Sequence, residues 1–153
     1  MTRTFAPVSG LLLASALTAL ASPAHSETAH PAASLDVTIS GLKSDKGVVR
    51  LALCPPGTGF PDCKSAALRT GTLKIAKGQA RITLSDLPAG TYALSVFHDA
   101  NSNGKLDTFV GIPREGYGFS RNPGFKPRAP TFAEAEITVS GQAATVVRMR
   151  YIL

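Results

Sequence analysis

Apolar and polar residues alternate along most of the chain after its N-terminal segment. Strict alternation places successive side chains on opposite faces, so it predicts β-strands that bury one face. In the first such segment, for example, Leu35, Val37 and Ile39 share a face. Seven segments follow this pattern: 35–40, 48–54, 68–75, 79–84, 91–97, 135–139 and 143–153.

Turn-forming residues separate these segments. Glycine or proline occurs at 45–47, 76–78, 87–90 and 140–142, and the second of these predicts a tight hairpin. About seven strands joined by frequent turns are typical of a β-sandwich. A short helix remains an option at 63–68.

Residues 108–130 break the alternation. They contain four glycines and four prolines and have no period, so they predict one long loop. A long loop in a compact domain is usually functional or disordered. Phe109, Tyr117, Phe119 and Phe125 argue against disorder, because aromatic residues are scarce in disordered segments.

The N-terminal segment has the features of a signal peptide. A short apolar run around 11–21 follows Arg3, and cleavage is expected after Ala24 or Ser26. An uncleaved anchor helix is the alternative. We therefore expect a signal peptide at 1–26, a short disordered leader at 27–34 and a single domain at 35–153, with no transmembrane segment in the mature chain and a periplasmic or secreted location.

Charge and cysteine content limit the possible partners and indicate the redox environment. The formal net charge is +6, which favours anionic partners such as acidic glycans or lipid head groups. The basic residues are scattered, and export also speaks against nucleic acid. Cys54 and Cys63 frame a turn-rich loop, which in an oxidising compartment predicts a disulfide. Two free thiols are the alternative.

Oxygen-bearing side chains recur at every second position in the segment that follows His98. Such spacing lets a backbone wrap around a calcium ion, with a glycine at the sharp turn and a backbone carbonyl next to it. Position twelve of an EF-hand is Val110 here, so the loop is not an EF-hand and needs another acidic ligand. The alternative is a loop of Asx turns. The expected ligands are Asp99, Asn101, Asn103, Lys105, Asp107 and Glu115.

His98 raises the question of catalysis. With Asp99, Asp107 and Glu115 it would form the site of a metal-assisted hydrolase. A nucleophile, a base and oxyanion donors are not all identifiable, so we favour a His98 that ends a strand and hydrogen-bonds the loop.

The long loop also mixes aromatic and basic residues. Aromatic rings stack on sugars and arginine pairs with anions, so the mixture suits a carbohydrate or an anionic polymer. The alternative is a loop folded over a sheet edge, with its aromatic residues filling the end of the core. The expected ligand-binding residues are Tyr117, Phe119 and Arg121, and the basic set also includes Arg114, Lys126 and Arg128.

Several motifs between 87 and 120 match a known family. They are Leu87-Pro88-Ala89-Gly90-Thr91-Tyr92-Ala93, His98-Asp99, Asn101-x-Asn103-Gly104-Lys105-Leu106-Asp107, Gly111-Ile112-Pro113 and Glu115-Gly116-Tyr117-Gly118-Phe119-Ser120. On these residues the chain resembles the bacterial exported proteins catalogued as domain of unknown function 2141, over about 35–153. The resemblance implies no particular activity, because none is established for that family.

The segment 87–92 is also similar to transthyretin-like and collagen-adhesin B-type domains. That resemblance implies an Ig-like sandwich and a mostly non-catalytic role. Some bacterial surface relatives carry a similar Asp-x-Asn-x-Asn-Gly loop that holds calcium.

Pattern and resemblance together predict an all-β, Ig-like or transthyretin-like antiparallel β-sandwich of about seven strands with one long loop. We expect an exported, non-catalytic module with a structural calcium ion, associated with the envelope or binding an anionic envelope polymer or a protein partner. The alternatives are the hydrolase described above and a structural domain without a ligand.

Overall fold

The computed structural model describes Thr2 and residues 32–153. The expected signal peptide, apart from Thr2, and the leader up to residue 31 lie outside the described residues. The elements are β1 (Ala33–Ser40), β2 (Val48–Cys54), a 3-10 helix (Lys64–Ala66), β3 (Arg69–Leu73), β4 (Gln79–Leu87), β5 (Gly90–Asp99), β6 (Thr108–Phe109), β7 (Ile112–Pro113), β8 (Tyr117–Phe119), α1 (Phe132–Ala135), β9 (Glu136–Val139) and β10 (Gln142–Arg148).

The smaller sheet has the strand order β10-β1-β4. Strands β1 and β4 are antiparallel, as expected for a sandwich. Strands β1 and β10 are parallel, with Ser34 opposite Gln142 and Ser40 opposite Arg148. The expected antiparallel sandwich therefore contains one parallel pair. The reason is that β10 reaches β1 only after the chain has built the other sheet, so no tight turn dictates its direction.

The larger sheet has the order β3-β2-β5-β8, and β9 pairs with the first half of β5. Every pairing in this sheet is antiparallel. Strand β5 is its longest strand and contacts three neighbours, so side chains on β5 lie at the centre of the sheet. A separate two-stranded sheet pairs β6 with β7.

The inward faces of the two main sheets form one apolar core. Leu35, Val37 and Ile39 of β1 are buried, and so are Leu51 and Leu53 of β2. The all-β sandwich predicted from alternation is thus confirmed, because the long strands of the two main sheets bury the face that most of their apolar residues occupy. No helix among the described residues is long and apolar enough to cross a bilayer.

The long loop is more structured than its sequence indicates. Strands β6, β7 and β8 all fall within 108–130, and α1 follows directly. Strands of two or three residues are too short to display a period, which is why alternation misses them. Strand β1 begins at Ala33, two residues before its expected start, and the 3-10 helix lies inside the expected helical segment.

The disulfide between Cys54 and Cys63 is confirmed. Their Cα atoms are 5.8 Å apart, and both residues are buried. The bond ties the end of β2 to the segment that enters β3, at one end of the larger sheet.

Candidate functional site

The outer face of the larger sheet carries two rows of side chains. Since side chains alternate across a strand, the residues between the core positions of β2 and β5 point away from the core. Strand pairing then aligns them across the sheet. The first row is Thr72, Arg50, Phe97 and Tyr117, and the second is Thr70, Ala52, Ser95 and Phe119.

These rows border a shallow depression of about 340 Å³. Hydroxyl, aromatic and guanidinium groups line it, and none of its described lining residues is a carboxylate, an imidazole or a thiol. We call this depression the groove. Its principal side chains come from Arg50, Thr70, Thr72, Ser95 and Phe97, and the backbone at Gly104 forms one wall.

Arg50 is held in place by Asp99. Its Nε donates a hydrogen bond of 2.6 Å to Asp99 Oδ2, and the arginine side chain is about one-third exposed whereas the aspartate side chain is fully buried. The carboxylate also accepts hydrogen bonds of 2.9 Å from the backbone N–H groups of Asn103 and Gly104. No described residue bonds the two Nη nitrogens of Arg50, which therefore remain available at the groove.

The charge state of Asp99 follows from these contacts. Burial acts to raise its pKa, but the hydrogen bonds from Arg50, Gly104 and Asn103 outweigh burial and lower the pKa below its usual value. Asp99 therefore stays ionised, and it connects the 99–107 loop to Arg50.

The remaining polar residues of the 99–107 loop converge on Asp107. The amide Nδ2 atoms of Asn101 and Asn103 donate hydrogen bonds of 2.8 and 2.9 Å to its two carboxylate oxygens. The amide oxygens accept from backbone N–H groups: Asn101 Oδ1 from Asn103 at 3.2 Å, and Asn103 Oδ1 from Lys105 at 2.8 Å. These are the Asx turns that the alternative interpretation describes.

Glu115 forms hydrogen bonds with the backbone at both ends of the loop. Its Oε1 accepts from the Ala100 N–H at 2.8 Å, and its Oε2 accepts from the Asp107 N–H at 3.0 Å. The side chains of Asn101, Asn103 and Asp107 thus lie together. The carboxylates of Asp99 and Glu115 instead accept hydrogen bonds from N–H groups of the protein. Within residues 32–153, no group of three or more His, Cys, Asp or Glu side chains is arranged to hold a metal ion.

His98 is buried at the end of β5, and both of its ring nitrogens are engaged. Nε2 lies 2.7 Å from the Lys46 carbonyl, so it carries the proton, and Nδ1 then accepts from the Tyr151 hydroxyl at 2.8 Å. The Tyr151 oxygen in turn accepts from the Lys43 N–H at 3.1 Å. This chain of hydrogen bonds fastens the C-terminal segment to β5, and it leaves no ring nitrogen for a substrate or a metal.

Two of the three expected ligand-binding residues lie on the outer face of the larger sheet. Tyr117 and Phe119 extend the two rows, and their rings pack edge to face at 5.7 Å. Phe119 also packs against Phe60, so part of this aromatic surface is covered by the chain itself. Arg121 lies just beyond β8, where its Nη1 is 3.4 Å from the Ala133 carbonyl.

Two basic residues of the long loop are neutralised locally. Arg128 Nη1 contacts Glu134 Oε2 at 2.8 Å, and Lys126 pairs with the same carboxylate. Hydrogen bonds from Arg128 and then Lys126 hold the pKa of Glu134 well below its usual range. Of the four basic residues of the long loop, only Arg114 and Arg121 therefore form no ion pair among the described residues.

The groove contains residues that the sequence interpretation missed. Arg50, Thr72 and Phe97 belong to no recognisable motif, whereas the spacing in the 99–107 loop predicts a site there. The signal that could have found them is the polar half of the alternation in 48–54 and 91–97, which identifies the outward face.

The comparisons with known proteins give a family but no activity. No curated protein and no solved structure matches the chain. The model of the family described as "Uncharacterized protein conserved in bacteria (DUF2141)" matches residues 37–147, which include most of both main sheets, the groove and the 99–107 loop. The chain therefore belongs to the family of domain of unknown function 2141.

Proposed function

We propose that this chain is an extracytoplasmic, non-catalytic binding module that holds an anionic envelope polymer in the groove. The observation that carries the proposal is the arrangement of Arg50. Its Nε is anchored to buried Asp99, and its two Nη nitrogens stay open to the groove. A guanidinium positioned in this way presents a fixed pair of donors at the sheet surface.

The groove chemistry favours a polysaccharide that contains uronic acids. A carboxylate accepts two parallel hydrogen bonds from one guanidinium, which matches the open side of Arg50. The hydroxyls of Thr72 and Ser95 both donate and accept, as sugar hydroxyls require. The Phe97 ring supplies an apolar surface on which the face of a sugar can pack.

We infer that this surface is not catalytic, because of the groups that line it. Hydrolysis of a glycosidic bond uses a pair of carboxyl groups that flank the bond. The described lining of the groove supplies hydroxyls, a ring and one guanidinium. Asp99, the carboxylate that contacts Arg50, is buried and ionised, and it already accepts three hydrogen bonds.

An NMR titration with oligogalacturonate tests the binding function. We expect chemical-shift changes at Arg50, Thr72 and Phe97, and none with a neutral oligosaccharide of the same length. Arg50→Lys keeps a cation for Asp99 but removes the two-nitrogen fork, so affinity should fall about tenfold or more. Arg81→Lys is the matched control, because Arg81 is exposed on β4 of the other sheet. Unchanged affinity in Arg50→Lys, or no shifts at the groove, would contradict the proposal.

For the 99–107 loop we propose a structural calcium ion, as its spacing predicts. Support comes from the convergence of Asn101 and Asn103 on the exposed side of Asp107. Rotating each amide by half a turn gives up its Asx-turn hydrogen bond and points its oxygen toward the same place as the carboxylate. The Lys105 carbonyl completes this set. Asp99 and Glu115 contribute only if they release hydrogen bonds to the protein, so we expect weak binding, at about 0.1–1 mM.

Thermal unfolding of chelator-treated protein tests the ion. We expect millimolar calcium to raise the Tm of the wild type and of Asp62→Asn, whose exposed carboxylate lies outside the loop. Asp107→Asn should abolish the increase. If calcium leaves the wild-type Tm unchanged, the loop is held by its Asx turns alone.

A further inference from the structure

The hairpin formed by β6 and β7 exposes three large apolar side chains. Phe109 is 61% exposed, Val110 85% and Ile112 43%. The two residues at the tip, Val110 and Gly111, both have positive φ values, of 49° and 76°. This is the geometry of a tight two-residue hairpin turn, and it projects the apolar side chains away from the body of the protein.

The tip sequence is unfavourable for folding. Asparagine and glycine adopt positive φ readily, whereas a β-branched residue such as Val110 is strained there. Its side chain is almost fully in water, so packing does not compensate for the strain. Strained residues that the fold does not require occur preferentially at functional sites.

The hairpin is fixed to the larger sheet at its base. The Arg114 N–H donates to the Asp107 carbonyl at 2.9 Å, and Glu115 accepts from the N–H groups of Ala100 and Asp107. Since Ala100 directly follows β5, these bonds connect the base of the hairpin to the central strand. The apolar tip is thus presented on a preorganised support rather than on a free loop.

We propose that this hairpin inserts Phe109, Val110 and Ile112 into the interface of an anionic lipid bilayer. The tip is convex and small, and three side chains fall far short of the roughly 1,200 Å² that stable protein interfaces bury. A few apolar side chains combined with basic residues are sufficient for binding at a membrane surface. Exposed Lys105 and Arg114 precede and follow the hairpin, and the chain has a formal net charge of +6.

Membrane insertion through the hairpin is independent of polymer binding in the groove. None of the hairpin residues lines the groove. A protein that binds a membrane through the hairpin can have a groove that is occupied by a polymer or empty. The oligogalacturonate titration and the vesicle assay therefore test the two proposals separately.

The absence of tryptophan from the sequence allows a local test. Phe109→Trp places a single reporter on the hairpin, and Phe125→Trp places one at the other phenylalanine that is 61% exposed. With vesicles of phosphatidylcholine and phosphatidylglycerol, we expect the emission of Phe109→Trp to shift to shorter wavelength and to be quenched by brominated lipid. The emission of Phe125→Trp should not change. High salt should weaken the effect, because it screens the attraction to anionic lipid.

Val110→Asn separates binding from folding. Asparagine tolerates positive φ, so this variant should be at least as stable as the wild type. It loses one apolar side chain at the tip, so vesicle binding should fall about tenfold. The inference is overturned if neither reporter responds to vesicles, if both respond equally, or if Phe109→Trp shifts with protein concentration in the absence of lipid. It is also overturned if Val110→Asn binds vesicles as the wild type does.

Discussion

Replacing Asp99 by asparagine tests whether this residue organises the site from within. In the structure its carboxylate accepts three hydrogen bonds, from Arg50 Nε and from the N–H groups of Asn103 and Gly104. An asparagine can keep the two bonds at one oxygen, but it places an NH₂ group against the third donor. Hydrogen bonds to a charged group contribute about 1.5–3 kcal/mol each. Losing one and weakening two should cost about 3 kcal/mol.

Urea denaturation in the presence of chelator measures this cost directly. We expect Asp99→Asn to lower the free energy of unfolding by about 3 kcal/mol and the Tm by about 10 °C. Asp62→Asn makes the same chemical change at an exposed aspartate and should alter stability by less than about 0.5 kcal/mol.

The pH dependence gives a second measurement on the same pair of proteins. Because folding lowers the pKa of Asp99 from 3.8, its contribution is fully present above that value. The contribution is lost as the pH falls through the lower pKa of the folded state. The difference in stability between the wild type and Asp99→Asn should therefore decrease below about pH 4.

One result would refute this reasoning. If Asp99→Asn is as stable as the wild type in chelator and differs from it only when calcium is present, Asp99 acts as a metal ligand. The ion pair with Arg50 would then have no structural role, and the anchored arginine of the groove would lose its support.

Three further predictions concern other contacts of the fold. Replacing Cys54 and Cys63 together by alanine should cost about 2.7 kcal/mol in urea denaturation, because the bond closes a short loop; an unchanged midpoint would contradict this. Gly47→Ala should destabilise by more than about 3 kcal/mol in the same assay, because its Cβ would lie 2.1 Å from the Asp99 carbonyl oxygen; wild-type stability would show that the loop can move aside. Tyr151→Phe should cost about 1–3 kcal/mol by thermal unfolding, because the buried nitrogen of His98 loses its donor; a smaller loss would mean that water replaces the hydroxyl.

The core of this fold could be predicted from the sequence because its strands are long and bury one face. The alternation in 35–40 and 48–54 identifies the buried residues correctly, and the hairpin at 76–78 has the expected positive φ values at Lys77 and Gly78. The parallel pairing of β1 with β10 could not be predicted in this way. Alternation determines which face is buried, but it does not determine which strands are neighbours.

The candidate site was harder to predict because the same residue types occur in two kinds of loop. Aspartates and asparagines at alternate positions fit both a calcium loop and a series of Asx turns. What separates them is the partner of Asp99, and that partner is 49 residues away in the sequence. A long-range contact of this kind leaves no local pattern around Arg50, so the groove was not predicted.

The alternation of faces on β2 and β5 also bears on how this family can diversify. Groove residues such as Thr72 and Phe97 do not share their face with the core, so substitutions there can change the chemistry of the groove surface without disturbing the packing. Arg50 differs from them, because its bond to Asp99 links the groove to the stability of a loop. We therefore expect related proteins to vary at Thr72 and Phe97, but to change positions 50 and 99 only together.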